Sequence, residues 1–375
     1  MPGSPEGTGG KGGEAQRSPE KPGEGGEPGR MKQSLRRARE PGEARSGPKK
    51  AERTRRSPEW PEEGGEPGRI LHKKRGLIMK VGFIGLGIMG KPMASQLVRA
   101  GVDLMVSDLN PKPVEELKAL GAASGSPAEI GSACDIVFTI LPTAQIVKSV
   151  LFDEGGVAST LTAGKLVVDC SSVTAGESNE CYERLKKMGV GFLDAPVSGG
   201  EPGAIAGTLA IMCGGDEKDF QTAKPYFDIM GSSALLIGAS GSGSVTKLAN
   251  QIIVNLNICA VSEALVLATK CGVDPMKVYR AIRGGLAGSA VLDAKAPMMC
   301  ARHFAPGGTI KVNQKDIRNV LATAHDVDVP LPLTAQLFEI QQSLKANGHV
   351  MDDHAGYVQY FEMLSGVKVT SSEAT

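Results

Sequence analysis

Short apolar blocks alternate with amphipathic segments along residues 79–241. Each apolar block is six to eight residues long and rich in Val, Ile and Leu, which predicts a strand. Because strands this apolar are buried on both faces, the alternation predicts a parallel sheet covered by helices on each side. The predicted strands are 80–85, 102–108, 135–142, 166–172 and 190–196, with helices at 90–99, 112–120, 144–151 and 174–188 between them.

The pattern changes after residue 241. A further strand and helix over 208–230 precede the segment GASGSGSVTKLANQ, which opens a helix that runs to about Lys270. Apolar residues continue nearly all round this helix, as in a helix buried between two domains. Residues 273–365 have helical spacing and almost no strand signal. The sequence therefore predicts an α/β domain over 79–241 and an all-helical domain over 242–369, joined by one long interdomain helix.

Residues 1–78 have the composition of a disordered extension. They contain 16 Gly and 10 Pro, and one charged motif at 17–30 returns at 56–69. Such a segment cannot bury enough apolar surface to offset its chain entropy. Its 18 basic and 12 acidic residues would suit nucleic acid or anionic lipid, but the interspersed Glu and the lack of aromatic interleaving weigh against both. The alternative is that translation begins at Met79.

From Met79 onward the composition is that of an ordinary globular protein. No apolar run reaches the roughly 18 residues that span a bilayer. The seven cysteines are scattered without a C-x-x-C pair, which indicates reduced thiols in a cytoplasmic protein. The five histidines are not spaced as metal ligands, so we expect no metal site. His354 lies beside Asp352 and Asp353, where a solvated loop is the favoured interpretation.

A glycine-rich turn follows the first predicted strand. Its pattern is G-x-G-x-x-G, set between a strand and a helix as a dinucleotide-binding Rossmann domain requires. Gly85 permits the tight turn, Gly87 lets the backbone approach a pyrophosphate, and Gly90 lets helix and strand pack closely. The pyrophosphate would then lie at the helix N-terminus, where free N–H groups favour an anion. The predicted cofactor-binding residues here are Gly85, Leu86, Gly87, Ile88, Met89 and Gly90.

The second predicted strand ends at Asp108, 18 residues after Gly90. A carboxylate at this point accepts hydrogen bonds from the adenosine ribose hydroxyls and repels a 2′-phosphate. Leu109 follows where a phosphate-binding Arg would lie, although Lys112 is close. We therefore favour NAD over NADP. The alternative is an ordinary turn aspartate before the next helix.

Two other strand ends lie at the same predicted edge of the sheet. They are Leu141-Pro142-Thr143 and Ser171-Ser172. In parallel sheets, ligands bind at the carboxyl ends of the strands. Leu141, Pro142 and Ser172 therefore become candidates to line the cofactor, and simple turn chemistry is the alternative.

A loop of small residues, DAPVSGGEPGA, occupies 194–204. Free N–H groups and the hydroxyl of Ser198, followed by Gly199 and Gly200, would suit a carboxylate or similar small anion. The alternative is a flexible connector.

Lys247 lies near the start of the long helix, with Asn250 and Gln251 on the same face. Clefts form at domain boundaries, and a partly desolvated lysine with a lowered pKa can protonate the alkoxide that hydride transfer leaves. Asn250 and Gln251 could hydrogen-bond a substrate without adding charge. The alternative is a lysine that extends into solvent near a helix start.

The motifs together resemble the β-hydroxyacid dehydrogenase family over about 79–369. The similar segments are GFIGLGIMGKPMA, DAPVSGGEPGAIAGTLAIMCGG, GSGSVTKLANQ and GGLAGSAVLDAKAPMM. The resemblance implies that Lys247 is the catalytic general acid and that Lys315, before Asp316, lies near the cofactor. The family's substrate positions fall on Ser198, Gly199, Gly200, Ser172 and Asn250 or Gln251, and Ser172 is also its hydroxyl near the nicotinamide.

The segments SGGEPGA, KLANQ and AIRGGLAGS are most similar to the members that reduce tartronate semialdehyde (2-hydroxy-3-oxopropanoate) to D-glycerate in glyoxylate metabolism. The resemblance implies this reversible reaction, with no metal. Alternatives within the family are 3-hydroxyisobutyrate dehydrogenase and glyoxylate or succinic semialdehyde reductase. An alternative of another class is a non-catalytic dinucleotide-binding scaffold. A homodimer or homotetramer is expected.

Overall fold

The computed structural model describes residues 79–371 and residue 373. The expectations for residues 1–78 lie outside that range. Nine strands form one sheet: β1 (Val81–Ile84), β2 (Leu104–Ser107), β3 (Ala123–Ser124), β4 (Ile136–Thr139), β5 (Leu166–Asp169), β6 (Gly191–Asp194), β7 (Val197–Ser198), β8 (Leu209–Gly215) and β9 (Gly231–Gly238).

Thirteen α-helices occur in the described part of the chain. Seven of them connect strands: α1 (Gly90–Arg99), α2 (Pro111–Ala119), α3 (Pro127–Ala133), α4 (Ala144–Phe152), α5 (Ala175–Lys186), α6 (Gly200–Ala206) and α7 (Glu217–Met230). The others follow the sheet: α8 (Ser242–Lys270), α9 (Pro275–Ile282), α10 (Ala290–Cys300), α11 (Ile310–Asp326), α12 (Pro332–Ala346) and α13 (Val358–Ser365). The predicted α/β region with a helical C-terminal domain is confirmed.

The sheet has the strand order β3-β2-β1-β4-β5-β6-β8-β7, with β9 paired to β8. Strands β1 to β6 are parallel neighbours, as the buried apolar runs predicted. Beyond β6 the sheet is mixed, because β8 runs antiparallel to both β6 and β7 and parallel to β9. The carboxyl ends of β1, β4 and β5 therefore lie side by side at one edge.

Alternate residues of the parallel strands face two separate apolar layers. Phe83 and Phe138 belong to the layer that includes α1 and α7, whereas Val137 and Val167 belong to the layer that includes α4 and α5. This alternation follows from the two-residue period of a strand. A third apolar cluster lies among the helices that follow the sheet. All described residues from 79 onward belong to one compact unit, so the boundary between 241 and 242 stays a prediction.

The expected loop over 194–204 is wrong in part. Val197–Ser198 forms the short strand β7, and Gly200–Ala206 forms the helix α6. Strand β9 was also missed, because GSSALLIG begins directly after α7 and has no turn signal of its own. Strand β7 and helix α6, by contrast, have too few residues to show a period.

Helix α8 is the only described helix that is long and apolar enough to cross a membrane by length and composition alone. It packs against β8, α10, α11 and α13. Its buried residues include polar ones, among them Lys247, Gln251, Asn255 and Ser262. The polar groups on this side of the helix can form hydrogen bonds inside a protein, whereas in hydrocarbon they would have no partners. These contacts are those of a core helix.

Candidate functional site

The glycine turn after β1 has the geometry that a dinucleotide cradle needs. Gly85 adopts a φ of +98°, and a Cβ there would lie 2.3 Å from the carbonyl oxygen of Ile140. A Cβ on Gly90 would lie 1.9 Å from the carbonyl oxygen of Gly85, so both positions exclude a side chain. Gly87 has no atom within 4 Å of that position and faces open space. A pyrophosphate could approach the backbone there, at the start of α1.

Asp108 lies directly against this turn. Its carboxylate accepts the N–H of Leu86 at 2.6 Å and the N–H of Asn110 at 2.7 Å. The carboxylate therefore holds the glycine turn and also caps its own turn, and its remaining lone pairs are available to a ribose. The neighbouring Leu109 is fully exposed and supplies no cation for a 2′-phosphate.

The ends of β4 and β5 are joined by a buried carboxylate that sequence reasoning missed. Asp169 accepts hydrogen bonds from the hydroxyls of Thr139, at 2.8 Å, and Ser171, at 2.5 Å. Ser171 in turn accepts the N–H of Leu141 at 2.8 Å. Burial raises the pKa of Asp169 to about 6, although these hydrogen bonds oppose the shift. The Ser171 hydroxyl is thus committed to structure.

Turn chemistry accounts for one of the other strand-end residues. Thr143 caps α4 through its hydroxyl, and Pro142 beside it is exposed. Ser172, one residue beyond Ser171, is only partly buried. The ammonium of Lys315 donates a 2.8 Å hydrogen bond to its carbonyl oxygen, which joins the sheet edge to α11. The two residues that the family resemblance assigned to the cofactor are therefore in contact.

The two glycines that follow β7 both have positive φ angles. Gly199 has a φ of +138° and Gly200 a φ of +62°, a region that other residues rarely adopt. Both glycines are exposed at the start of α6, and Ser198 precedes them. The hydroxyl of Ser198 lies 3.3 Å from the side-chain oxygen of Asn250. The predicted anion loop and the predicted helix face are therefore brought together.

A row of amides continues from Asn250 into the helical region. The amide of Asn250 donates to Gln251 Oε1 at 3.1 Å, and Gln251 Nε2 donates to the carboxylate of Asp316 at 2.6 Å. Asp316 Oδ1 also lies 3.0 Å from the ammonium of Lys315. This ion pair falls outside hydrogen-bond geometry, since Asp316 Oδ1 has no hydrogen-bond partner among the described residues. A continuous chain of contacts thus links Ser198 to Lys315 and Ser172.

Lys247 is buried, with 8% of its surface exposed, and does not extend into solvent. It forms no ion pair with any residue from 79 to 371. Burial lowers its pKa from the usual value; the carboxylate of Asp316 opposes this shift and the ammonium of Lys315 reinforces it. A lysine in this setting loses its proton more readily than an exposed one, which suits proton transfer.

The start of α8, and so the position of Lys247, is set by a second aspartate that sequence reasoning missed. Asp194 is 1% exposed and accepts the N–H groups of Gly241 at 2.8 Å and Ser244 at 2.7 Å. A Cβ on Gly243 would lie 2.3 Å from the carbonyl oxygen of Met212, so α8 begins tight against the sheet. The sequence signal was an aspartate within the last three residues of the predicted strand 190–196.

The solvated loop expected around His354 is wrong. Asp353 is fully buried and paired with Lys295 at 2.8 Å, and His354 is mostly covered. The amide of Asn313 lies 2.9 Å from His354 Nδ1, and Gln251 Nε2 lies 3.5 Å from Asn313 Oδ1. The apolar run AGYVQYF that follows His354 was the signal that this segment packs inward. Within residues 79–371, no cluster of three or more His, Cys, Asp or Glu could hold a metal ion.

Comparisons with known proteins cover both halves of this site. A family model for the NAD binding domain of 6-phosphogluconate dehydrogenase matches residues 80–238. A second model, for the NAD-binding domain of NADP-dependent 3-hydroxyisobutyrate dehydrogenase, matches residues 241–361. The glycine turn and Asp108 lie in the first match, and Lys247 and Lys315 lie in the second.

Individual relatives match along most of the chain. The 2-hydroxy-3-oxopropionate reductase of Escherichia coli (strain K12) is 44% identical over 292 residues, which are 78% of this chain and 100% of that protein. The 2-(hydroxymethyl)glutarate dehydrogenase of Eubacterium barkeri is 35% identical over 79% of this chain and 99% of its own length.

A solved structure agrees with these matches. The 3-hydroxyisobutyrate dehydrogenase of Mycobacterium tuberculosis, with L-serine, superposes with a TM-score of 0.70 at 28% identity, over 76% of this chain and 99% of its own. Together with the buried lysine and the glycine turn, these similarities identify the chain as a member of the β-hydroxyacid dehydrogenase family of NAD(P)-dependent oxidoreductases.

Proposed function

We propose that the protein reversibly reduces tartronate semialdehyde to D-glycerate with a nicotinamide dinucleotide. The observation that carries the proposal is Lys247, a buried lysine with a lowered pKa on the same helix face as Asn250 and Gln251. At one end, Asn250 contacts Ser198 of the predicted anion loop. At the other end, Gln251 is linked through Asp316 and Lys315 to Ser172, the residue proposed to lie near the cofactor. Similarity to the Escherichia coli reductase supports the choice of substrate.

The Gly85–Gly90 turn would hold a nicotinamide dinucleotide, which when bound would supply or take up the hydride. Lys247 as an ammonium gives a proton to the carbonyl oxygen as negative charge develops there, and as an amine it takes that proton back in the reverse direction. Its burial strengthens this interaction, because the attraction between an ammonium group and a developing alkoxide is stronger in a water-poor site than in bulk water. General acid catalysis of this kind typically contributes about a hundredfold to ten-thousandfold to a rate.

The substrate carboxylate would bind at the loop of Ser198, Gly199 and Gly200. The Ser198 hydroxyl can donate to a carboxylate oxygen in place of Asn250, and exposed backbone N–H groups at the two glycines add further donors. Asn250 and Gln251 then orient the substrate through neutral amides, which add no further charge beside Lys247. A substrate held at both ends keeps its aldehyde carbon at a fixed distance from the hydride donor.

NADH is the favoured cofactor. The Gly85–Gly90 turn, with Leu141 and Pro142 at the neighbouring strand end, would hold the dinucleotide, and Ser172 with Lys315 would lie near its nicotinamide. The carboxylate of Asp108 beside the turn would bind ribose hydroxyls and repel a 2′-phosphate, and the exposed Leu109 offers no compensating cation. We also propose a cytoplasmic homodimer or homotetramer, with one domain over 79–241 and the other over 242–369.

Initial rates with a substrate panel test the proposal. The purified full-length protein is assayed with NADH and, separately, with NADPH, against tartronate semialdehyde, succinic semialdehyde, glyoxylate and methylmalonate semialdehyde, the oxidised form of 3-hydroxyisobutyrate. We expect the highest kcat/KM with tartronate semialdehyde and NADH. A higher value with another acid would keep the mechanism and assign a different family substrate. Tight NADH binding without turnover of any aldehyde would instead favour a non-catalytic dinucleotide-binding scaffold.

A further inference from the structure

One side of α8 is apolar and faces outward. Its exposed or partly exposed apolar residues recur every three or four positions, which is the spacing of a single helix face. They are Val245, Ala249, Ile253, Leu256, Ala260, Ala264 and Leu267, and we name this set the α8 stripe. Lys247 and Gln251 lie on the buried side of the same helix. From Val245 to Leu267 the stripe is about 33 Å long, at 1.5 Å per residue.

The stripe is extended at both ends by exposed apolar residues of other elements. At its first end, Ile237 of β9 lines the same surface cavity as Val245. At its last end, α13 lies beside α8, because the ammonium of Lys270 donates to the carbonyl oxygen of Ser365 at 2.9 Å. The large side chains that these two elements add are Leu235 and Ile237 of β9 and Met363 and Leu364 of α13.

The combined surface is large for the exterior of a single subunit. Its large exposed side chains, on β9, α8 and α13, are each 46–71% exposed. At roughly 100 Å² for each of them and less for the alanines, the surface approaches the about 800 Å² that each partner buries in a stable interface. The largest apolar patch of a typical monomer is only about 300–600 Å². A surface of this size indicates a binding partner.

The residues of the stripe are arranged symmetrically about Leu256. The paired positions, at nearly equal distances on either side of it, are Ile253 with Ala260, Ala249 with Ala264 and Val245 with Leu267. A second copy of α8, related by a two-fold axis at Leu256, would run antiparallel to the first and match it along the whole stripe. Ile253 of one copy would then pack against Ala260 of the other, a large side chain against a small one. The same rotation would bring β9 of each copy to α13 of the other.

The chemistry of the surface disfavours two other occupants. The extension that precedes Met79 cannot supply a matching apolar face, because residues 1–69 contain one Leu and no Val or Ile. Helices that lie on a membrane surface carry Lys and Arg beside their apolar face. Among the exposed residues from 245 to 267, Glu263 alone is charged, and its charge would be repelled by anionic lipid.

We propose that the α8 stripe pairs with the α8 stripe of a second copy of this chain, antiparallel about a two-fold axis at Leu256, and that β9 of each copy contacts α13 of the other. This pairing names the interface of the homo-oligomer proposed above and rests on that part of the proposed function, not on the choice of substrate. Because Lys247 lies on the buried side of α8, the second copy would support the helix from the side that faces away from the proposed proton donor.

A cysteine on the two-fold axis tests the register of the pairing. Leu256→Cys should form a disulfide with its own counterpart, because a residue on the axis meets itself. Oxidised full-length protein should then migrate as a covalent dimer on a non-reducing gel. Ala264→Cys is the matched control, since its two copies would lie about 24 Å apart along the paired helices. Wild-type protein, which has an exposed thiol at Cys271, gives the background. Equal cross-linking of both variants, or none in Leu256→Cys, would overturn the proposed register.

A charge in the stripe tests whether this face carries the association. Ile253→Lys should halve the mass of the assembly measured by light scattering and raise its dissociation constant at least about a hundredfold, because an unpaired ammonium would be buried against Ala260. Leu120→Lys is the control, since Leu120 is also exposed but lies after α2, at the end of the sheet opposite β9. Wild-type protein that is monomeric at micromolar concentration, or an assembly that Ile253→Lys leaves intact, would overturn the proposal.

The remaining outcomes are distinct from these. Monomeric wild-type protein that sediments with phosphatidylglycerol vesicles would assign the stripe to a lipid surface and overturn the pairing. Failure of the proposed function has a separate signature, because the rates with the aldehyde panel test the substrate whatever the mass of the assembly. An assembly that Ile253→Lys dissociates, in a protein that does not turn over tartronate semialdehyde, would support the interface and overturn the substrate alone.

Discussion

The carboxylate of Asp194 accepts the backbone N–H of Ser244 at 2.7 Å, three residues before Lys247. Asp194 ends β6, so this hydrogen bond ties the first turn of α8 to the end of a central strand. The charge also lies at the N-terminus of a 29-residue helix, where the helix dipole favours an anion. The position of the proposed proton donor therefore depends on a carboxylate that would not touch the substrate.

Replacement of Asp194 by Asn should destabilise the protein. One of the two acceptor oxygens becomes an NH₂ group that faces a backbone N–H, and a buried donor without a partner costs about 1–3 kcal/mol. We expect the free energy of unfolding to fall by about 2 kcal/mol, measured by urea denaturation.

A matched control for this variant is Asp216→Asn. Asp216 lies before α7, is exposed and makes no side-chain capping hydrogen bond, so its replacement should change the free energy of unfolding by less than about 0.5 kcal/mol. An equal loss in both variants would mean that Asp194 is not a specific support of α8.

Lys247→Ala should abolish most of the catalytic rate while it preserves cofactor binding. We expect kcat to fall by about a thousandfold, because the general acid is lost, and the Kd of NADH to change by less than about threefold. Steady-state kinetics and fluorescence titration with NADH measure the two quantities. Lys270→Ala, at the exposed end of the same helix, is the control. Retained turnover in Lys247→Ala would remove the lysine from the mechanism.

The pH dependence of the rate should have opposite signs in the two directions. Reduction needs the protonated lysine, so its kcat/KM should decrease as the pH rises through the pKa of Lys247. Oxidation of D-glycerate needs the amine and should increase over the same range. Because burial lowers that pKa, both changes should occur below the usual pH 10.5 of a lysine. Profiles measured in both directions check this sign, and parallel profiles would contradict it.

Asp108→Ser should shift the preference from NADH toward NADPH. Removal of the carboxylate removes the repulsion of a 2′-phosphate, and we expect the ratio of kcat/KM values to move by about tenfold or more. Asn110→Ala is the control, since Asn110 caps α2 in the same turn but carries no charge. An unchanged ratio in Asp108→Ser would make Asp108 a turn residue only.

Asp169 should make stability depend on pH. The pKa of Asp169 is raised to about 6 in the folded protein. The protonated carboxyl therefore contributes to the free energy of unfolding in full below the unfolded pKa of about 4, and this contribution is lost as the pH rises through about 6. Asp169→Asn keeps an oxygen for Thr139 and Ser171 and removes the charge. The stability of the variant relative to wild type should therefore increase by up to about 3 kcal/mol between pH 4 and pH 8. Urea denaturation at both values measures it, and a constant difference would contradict the shift.

Much of the fold followed from residue patterns alone. The apolar strands, the glycine turn and the long helix could be predicted because each carries a period or a spacing that local physics determines. The mixed end of the sheet could not, because β7 has two residues and α6 seven, too few to show a period. Strand β9 was hidden because it begins where α7 ends, without a turn between them.

The candidate site shows the same division. Lys247, Ser198 and Asn250 were predicted as site residues because a cation or a glycine pair is conspicuous in its local sequence, and the structure brings Ser198 and Asn250 into contact. Asp194 and Asp169 were missed because their role is a contact with a distant segment, Ser244 in one case and Thr139 in the other. His354 was noticed and misjudged, since two neighbouring aspartates suggested solvent where one of them is buried in an ion pair.

Helix α8 carries Lys247 in its second turn, and its later turns form the centre of the helical region. The proposed proton donor and the centre of the helical region thus belong to one continuous helix. Changes in the surrounding helices can alter the shape of the proposed substrate site without moving Lys247. An architecture of this kind allows new specificities to evolve around chemistry that stays the same.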